Sequence, residues 1–251
     1  MMMMTSVPSP MYMDSSGCSL PAPAVGQTSP VDHPAGATPP ERFLDRAHAG
    51  RVLAGLLGAY RHRPGTVVLG LPRGGVPVAA EVARSLGAPL DVFVVRKLGV
   101  PGREELAMGA IASGGLQVRN EEVIDHLQIS DEAFSAVAAR EAEELRRREL
   151  AYRVGRPALE VAGSVVILVD DGLATGSTMR AAAAAIRQKE PEELVVAVPT
   201  APQKRLELLR LASDTVLAAL MPDPFTSVGE CYVDFSQTSD DEVRRLVLAP
   251  E

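Results

Sequence analysis

Short aliphatic and β-branched runs alternate with longer stretches of helical periodicity through most of the chain. Thr66 to Leu71, Leu90 to Val95, Val165 to Val169, Leu194 to Val198 and Thr215 to Leu220 carry few or no polar interruptions. Uninterrupted apolar runs of this length predict strands buried on both faces, as in a parallel sheet covered by helices. Between them, Val76 to Leu86 and Pro202 to Leu211 read as helices, and Thr175 to Ala185 as the start of another. From Arg42 to Tyr60, the positions Phe43, Ala47, Leu53, Leu56, Leu57 and Tyr60 recur near the helical period and predict an amphipathic helix lying on the sheet. Met108 to Ala112 and Leu116 to Arg119 predict a hairpin around Ser113-Gly114-Gly115. Strands alternating with helices imply an α/β fold with an open, mainly parallel sheet and right-handed crossovers, in which ligands bind at the carboxyl ends of the strands.

Two segments depart from this pattern. Ser130 to Arg153 is rich in Glu, Arg and Ala, with Ser130-Asp131-Glu132 as a helix start, and predicts one long, mostly exposed helix within an insertion spanning 130–156. Glu143 with Arg147, Glu144 with Arg148 and Glu149 with Arg153 stand four apart, each pair worth about 0.3 kcal/mol. The Arg146-Arg147-Arg148 patch is interleaved with acids and reads as a solvated face. Met1 to Pro40 holds eight prolines, only Asp14 and Asp32 as charges, and almost no apolar periodicity, the composition of a disordered tail. It has no basic start or continuous apolar stretch of a secretory signal. The expected organisation is therefore a tail over 1–40 and one folded domain over 41–251.

The 251 residues are 46% hydrophobic and 23% charged, enough for one substantial core. A net charge of −7 disfavours a nucleic-acid binder, and no run is long and apolar enough to span a bilayer. The two cysteines, Cys18 and Cys231, imply no disulfide framework and fit a reducing, cytoplasmic setting. His33, His48, His62 and His126 have no metal-ligand spacing.

The chemistry concentrates after the strand Val165 to Val169. Asp170 and Asp171 stand where it ends, and Ala174-Thr175-Gly176-Ser177-Thr178 opens the next helix, whose free N–H groups and dipole attract anions. After Thr66 to Leu71 comes Pro72-Arg73-Gly74-Gly75, where the glycines let the backbone approach a ligand and Arg73 offers a fork for phosphate oxygens. Taken alone, an ordinary strand-to-helix turn would read the same way. Arg96-Lys97 opens a glycine-punctuated, charged stretch through Arg103, Glu104 and Glu105, suited to a mobile lid, and Lys97 read alone is equally a strand-end lysine in water.

The strand, acid pair and hydroxyl-rich loop together resemble the phosphoribosyl-diphosphate (PRPP) signature of type I phosphoribosyltransferases, most closely stand-alone bacterial members. The resemblance covers Glu41 to Leu248, with Gly172 in place of the usual aliphatic residue. It implies that Asp170 and Asp171 hold the ribose hydroxyls and, through PRPP, Mg2+, while residues 174–178 bind the 5-phosphate. By the same resemblance Arg73, Gly74 and Gly75 grip pyrophosphate, and Arg96, Lys97, Arg103 and Glu105 form a flexible loop with Lys97 reaching the leaving group. Pro222-Asp223-Pro224-Phe225 and Val228 to Phe235 are similar to the hood of hypoxanthine and guanine enzymes over 222–238, with Phe225 stacking on the base and Asp234 near the base or metal. Phe225, Tyr232 and Phe235 fit a small satellite core equally well. Ala174 stands where 6-oxopurine enzymes carry an acid, whereas Leu173 to Gly176 resembles adenine enzymes, so the acceptor stays open. The implied partners are PRPP and a small nitrogen heterocycle, with a homodimer common in the family. A PRPP-binding regulator without turnover and a flavodoxin-like phosphate domain are the competing readings.

Overall fold

The computed structural model describes residues 40–249, so the tail expected over 1–40 lies outside the described residues apart from Pro40. The first helix is shorter than the periodicity suggests. Asp45 accepts the His48 amide at 2.6 Å and caps α1 (Arg46–Leu56), and a 3-10 turn follows at Gly58–Tyr60. Arg42 to Leu44 is instead extended and pairs with the C-terminal segment: the Phe43 amide donates to Cys231 O and its carbonyl accepts from Val233, both at 2.8 Å.

β1 (Thr66–Gly70), α2 (Gly75–Leu86) and β2 (Leu90–Val92) come next, then β3 (Val95–Val100), β4 (Arg103–Ala112) and β5 (Leu116–Arg119). α3 (Glu121–Leu127) and α4 (Asp131–Arg153) precede β6 (Val165–Val169), α5 (Ser177–Arg187), β7 (Glu193–Thr200), α6 (Gln203–Leu209), β8 (Thr215–Leu220) and α7 (Asp240–Leu248). Five strands form one sheet in the order β2-β1-β6-β7-β8, every pair parallel, flanked by helices as expected. Along β6 alternate residues serve opposite faces. Val165, Ile167 and Val169 join Leu53, Val78 and Val82 of α1 and α2, whereas Val166 and Leu168 join Met179, Ala182 and Ile186 of α5. This two-sided burial is why the run carries no polar position.

The predicted strand over Leu90 to Val95 divides in two. β2 stays in the parallel sheet and β3 leaves it to start an antiparallel sheet, β3-β4-β5, whose last two strands form the expected hairpin around residues 113–115. The stretch anticipated as a flexible loop is thus largely paired strand, with Lys97 opposite Ala110 and Val100 opposite Arg103. The reason is local: Leu98 and Val100 stand two apart on one face of the strand and bury against Met108, Ile111 and Phe134.

α4 also differs from expectation, because one face of it is core. Phe134, Val137, Ala138, Leu145 and Tyr152 pack on the second sheet and on Val243 and Val247 of α7. The stripe escapes the eye because two of its half-buried positions are acids. Glu141 accepts from Arg96 at 2.9 Å, and Glu149 accepts from Arg153 at 3.0 Å. Arg153 is itself buried and donates through Nε to both Asp91 oxygens at 2.9 and 3.0 Å and through Nη2 to Val92 O at 2.9 Å. This tie joins α4 to β2 with its hydrogen bonds satisfied, the condition under which a buried charge is tolerated. On the exposed face, Glu144 pairs with both Arg147 and Arg148, which holds its carboxyl at about 2.

Candidate active site

The chain runs outward from β1 to β2 and returns to β6 on the other side of β1, so the connections after β1 and β6 leave toward opposite faces. Such a switch point opens a crevice at the carboxyl ends of the two strands. Pro72 to Gly75 lies on one side of it, Asp170 to Thr178 on the other, and the Leu71 amide bonds Val169 O at 2.9 Å across the seam. The Pro72–Arg73 peptide bond is cis.

The two loops meet so closely that the glycines are required. A Cβ on Gly75 would stand 2.8 Å from both Asp170 Cα and Val169 O, and one on Gly74 would overlap the Asp171 carboxylate. Gly172, the departure from the usual motif, has a similar cause: its Cβ would lie 2.5 Å from Val228 Cγ1 and 3.0 Å from Thr200 Cγ2. Val228, from the 222–238 segment, takes that space.

The acids are not free side chains in water. Asp170 accepts the Asp171 amide at 2.9 Å, and Asp171 Oδ2 pairs with Arg46 Nε at 2.8 Å. Burial raises both carboxyls above the ordinary range, the Asp171 charge adds to the rise at Asp170, and Arg46 opposes it at both. Tyr232 donates its hydroxyl to Asp171 O at 2.5 Å, and burial followed by the Asp171 charge raises it well above the usual phenol range, so it stays a donor.

Arg46, Tyr232 and Phe235 are contributors that the motif reading lacks. Arg46 Nη1 donates to Ser236 O at 2.6 Å, its guanidinium lies 4.0 Å from the Phe235 ring centre, and that ring meets Tyr232 at 5.0 Å. No short-range pattern marks Arg46, because its partner is 125 positions away. The pairing of 42–44 with 231–233 brings it there.

The remaining candidates are dispersed. Arg73 reaches Asp240 of α7 at 4.0 Å, and Tyr152 donates to the same carboxylate at 2.8 Å. The 174–178 loop is open: Ala174 and Thr175 are exposed, and Gly176, at the N-cap of α5, takes the left-handed conformation at φ 72° and has no side chain to close the helix start. Within it Thr175 Oγ1 meets the Ser177 hydroxyl at 3.1 Å and accepts the Ser177 amide at 3.4 Å. Arg96 is engaged by Glu141, and Arg103 and Glu105 lie on the exposed end of β4. Lys97 instead lines a groove of about 550 Å3 with Ser177 and Arg180, along the flank of α5 and away from the acid pair. Phe225 is half-buried against Phe43, Ala219 and Tyr232, in the satellite core. Asp234 is exposed, and its carboxylate accepts the Ser236 amide at 2.9 Å, which lowers its pKa.

A divalent ion would find two neighbouring carboxylates here, Asp170 and Asp171, and among the described residues no three or more acid, His or Cys side chains are placed together so as to hold a metal ion. That donor set fits a hard cation completed by substrate oxygens and water rather than a closed protein cage. No helix among the described residues is long and apolar enough to cross a membrane.

A parallel sheet whose switch-point crevice sets paired acids beside a glycine-lined loop and an open helix mouth defines an α/β protein with its candidate ligand site at the carboxyl ends of the strands. The model of the phosphoribosyl transferase domain family matches residues 46–218, and the chain belongs to that family. It is 46% identical over 201 residues to a Mycobacterium tuberculosis protein named "Putative phosphoribosyl transferase Rv0571c", covering 80% of this chain and 45% of that relative. The chain thus spans a little under half the length of that curated relative. Its fold is similar to the crystal structure of TT1426 from Thermus thermophilus, with a TM-score of 0.73 and 43% identity over 82% of this chain and 98% of that one.

Proposed function

We propose that this protein transfers the 5-phosphoribosyl group of PRPP to a ring nitrogen of a nucleobase or similar heterocycle and releases pyrophosphate. The observation that carries the reading is the contact between the Gly74-Gly75 loop and the Asp170-Asp171 pair, which sets a pyrophosphate grip against a diol clasp with no side chain between them. In the reaction the C1–O bond to pyrophosphate breaks with its electron pair on oxygen, and the acceptor nitrogen forms the bond to C1 with its lone pair while its proton passes to water. Asp170 and Asp171 hold the ribose hydroxyls and favour the positive charge that develops at the sugar, in the manner of glycoside cleavage. The Gly74 and Gly75 amides and Arg73 receive the departing charge, and the 174–178 loop with the α5 mouth takes the 5-phosphate. Bound magnesium, held by Asp170 and Asp171 together with PRPP, would supply charge neutralisation at the diphosphate. A phosphorylated, diffusible donor suits a cytoplasmic protein.

The family assignment supports the transferase class, and the crevice supports the donor. Phe225 and Asp234, engaged within the protein, lend less support to a base site there. The test is pyrophosphate release from Mg·PRPP across a panel of nitrogen heterocycles, with Asp170→Asn and Asp171→Asn as controls. Turnover with at least one heterocycle, lost in either variant, is expected. Tight PRPP binding without product across the panel would favour a PRPP-sensing regulator, and normal PRPP binding by the doubly substituted protein would remove the site.

A further inference from the structure

We propose that Arg46 is a second cation for the leaving pyrophosphate, parked on Asp171 in the ligand-free protein and transferred to the diphosphate when the ribose diol claims that carboxylate. The inference rests on the PRPP reading of the crevice and names a residue that reading does not contain. Three observations carry it. Arg46 stands at the pyrophosphate loop itself: a Cβ on Gly74 would lie 3.2 Å from Arg46 Nε, so guanidinium, Asp171 carboxylate and bare loop backbone converge on one point. It is mostly withdrawn from water, with side-chain exposures of 12% for Arg46 and 16% for Asp171, whereas Arg73 is 38% exposed and rests on Asp240. A buried guanidinium acts on a phosphate with less screening than an exposed one. Finally, its donors are only partly used. Nε goes to Asp171 and Nη1 to Ser236 O, while Nη2 donates to nothing among the described residues.

The surroundings hold this group in readiness. The Phe235 ring centre lies 4.0 Å from the guanidinium carbon and helps hold the group in place, and arginine binds phosphate oxygens through its planar fork of donors. With Asp170 and Asp171 beside one guanidinium, the crevice carries more acid than base before the ligand arrives. A diphosphate offers Arg46 a more highly charged partner than Asp171. The exchange frees Asp171 Oδ2 for a hydroxyl donor, so binding of the sugar and grip on the leaving group occur together.

Calorimetric titration of Mg·pyrophosphate and, separately, of ribose 5-phosphate into wild type, Arg46→Ala and Arg46→Gln tests the proposal. Arg46→Gln keeps much of the side chain's length and a donor should the alanine variant fold poorly, and Arg46→Lys tests rescue by charge. The expected result is a tenfold or greater weakening of pyrophosphate in Arg46→Ala and Arg46→Gln, ribose 5-phosphate binding unchanged or tighter, and partial recovery in Arg46→Lys. Pyrophosphate binding retained in a folded Arg46→Gln protein, or a loss confined to ribose 5-phosphate, would overturn it and leave Arg46 as a support for Asp171. Failure of the wild type to bind PRPP would instead strike the parent reading, a result separable from either variant outcome.

Discussion

The two banks of the crevice are built on opposite principles. On the acid side, Gly74 and Gly75 lie so close to Asp170 and Asp171 that a methyl group does not fit, and Arg46, Tyr232 and the Asp171 amide all engage the acid pair. On the side proposed for the 5-phosphate, residues 174–178 are largely open, Thr175 Oγ1 alone links them through the Ser177 hydroxyl and amide, and a Cβ on Gly176 would meet nothing within 4 Å. Recognition of a diol and leaving group demands placed atoms, and placement comes from packing. A terminal phosphate monoester needs only N–H groups and a positive field, which a helix mouth supplies with little support.

This contrast can be broken most forcibly at Gly75. The Gly75→Ala protein is expected to lose about 1–3 kcal/mol of stability, since backbone atoms of β6 and Asp170 must shift, and to lose PRPP binding as well. Urea denaturation together with PRPP titration measures both. An unchanged midpoint with normal binding would show that the acid side is looser than its contacts indicate.

A smaller effect concerns proton linkage. Burial raises the folded-state pKa of Asp170, so its contribution to ligand-free stability is complete below about 3.8, the ordinary value for the group, and is lost as pH rises through the elevated value. Relative to Asp170→Asn, the wild type should therefore lose stability as pH climbs from about 4 toward neutrality. Denaturation of both proteins across that range gives the sign, and parallel curves would contradict it.

The smallest effect is expected on the open bank. Ser177→Ala removes one hydroxyl from the start of α5 and should weaken PRPP by roughly fivefold, about 1 kcal/mol, with no change in melting temperature. A large stability loss there would erase the distinction between the banks.

Much of this architecture is legible in the sequence. The five parallel strands are marked by aliphatic runs, the acid pair and hydroxyl loop by their place after β6, and the hairpin around 113–115 by alternation and glycine. The misread parts share one cause. In α4 the inward stripe includes Glu141 and Glu149, whose burial makes sense only once Arg96 and Arg153 are seen opposite them. In β3 and β4 the glycines and charges suggested a lid, and the pairing partners that make them strand lie outside any short window.

The chain alone thus determined the candidate residues and their places, because strand ends, glycine turns and helix starts are set within a few positions and carry their chemistry with them. Tertiary structure decided which groups stand together. Arg46 meets Asp171, Val228 fills the space above Gly172, and Tyr232 reaches the Asp171 carbonyl only because the extended 42–44 segment pairs with 231–233. Contacts across such separations arise from packing of the whole domain and leave no local period for a sequence to display.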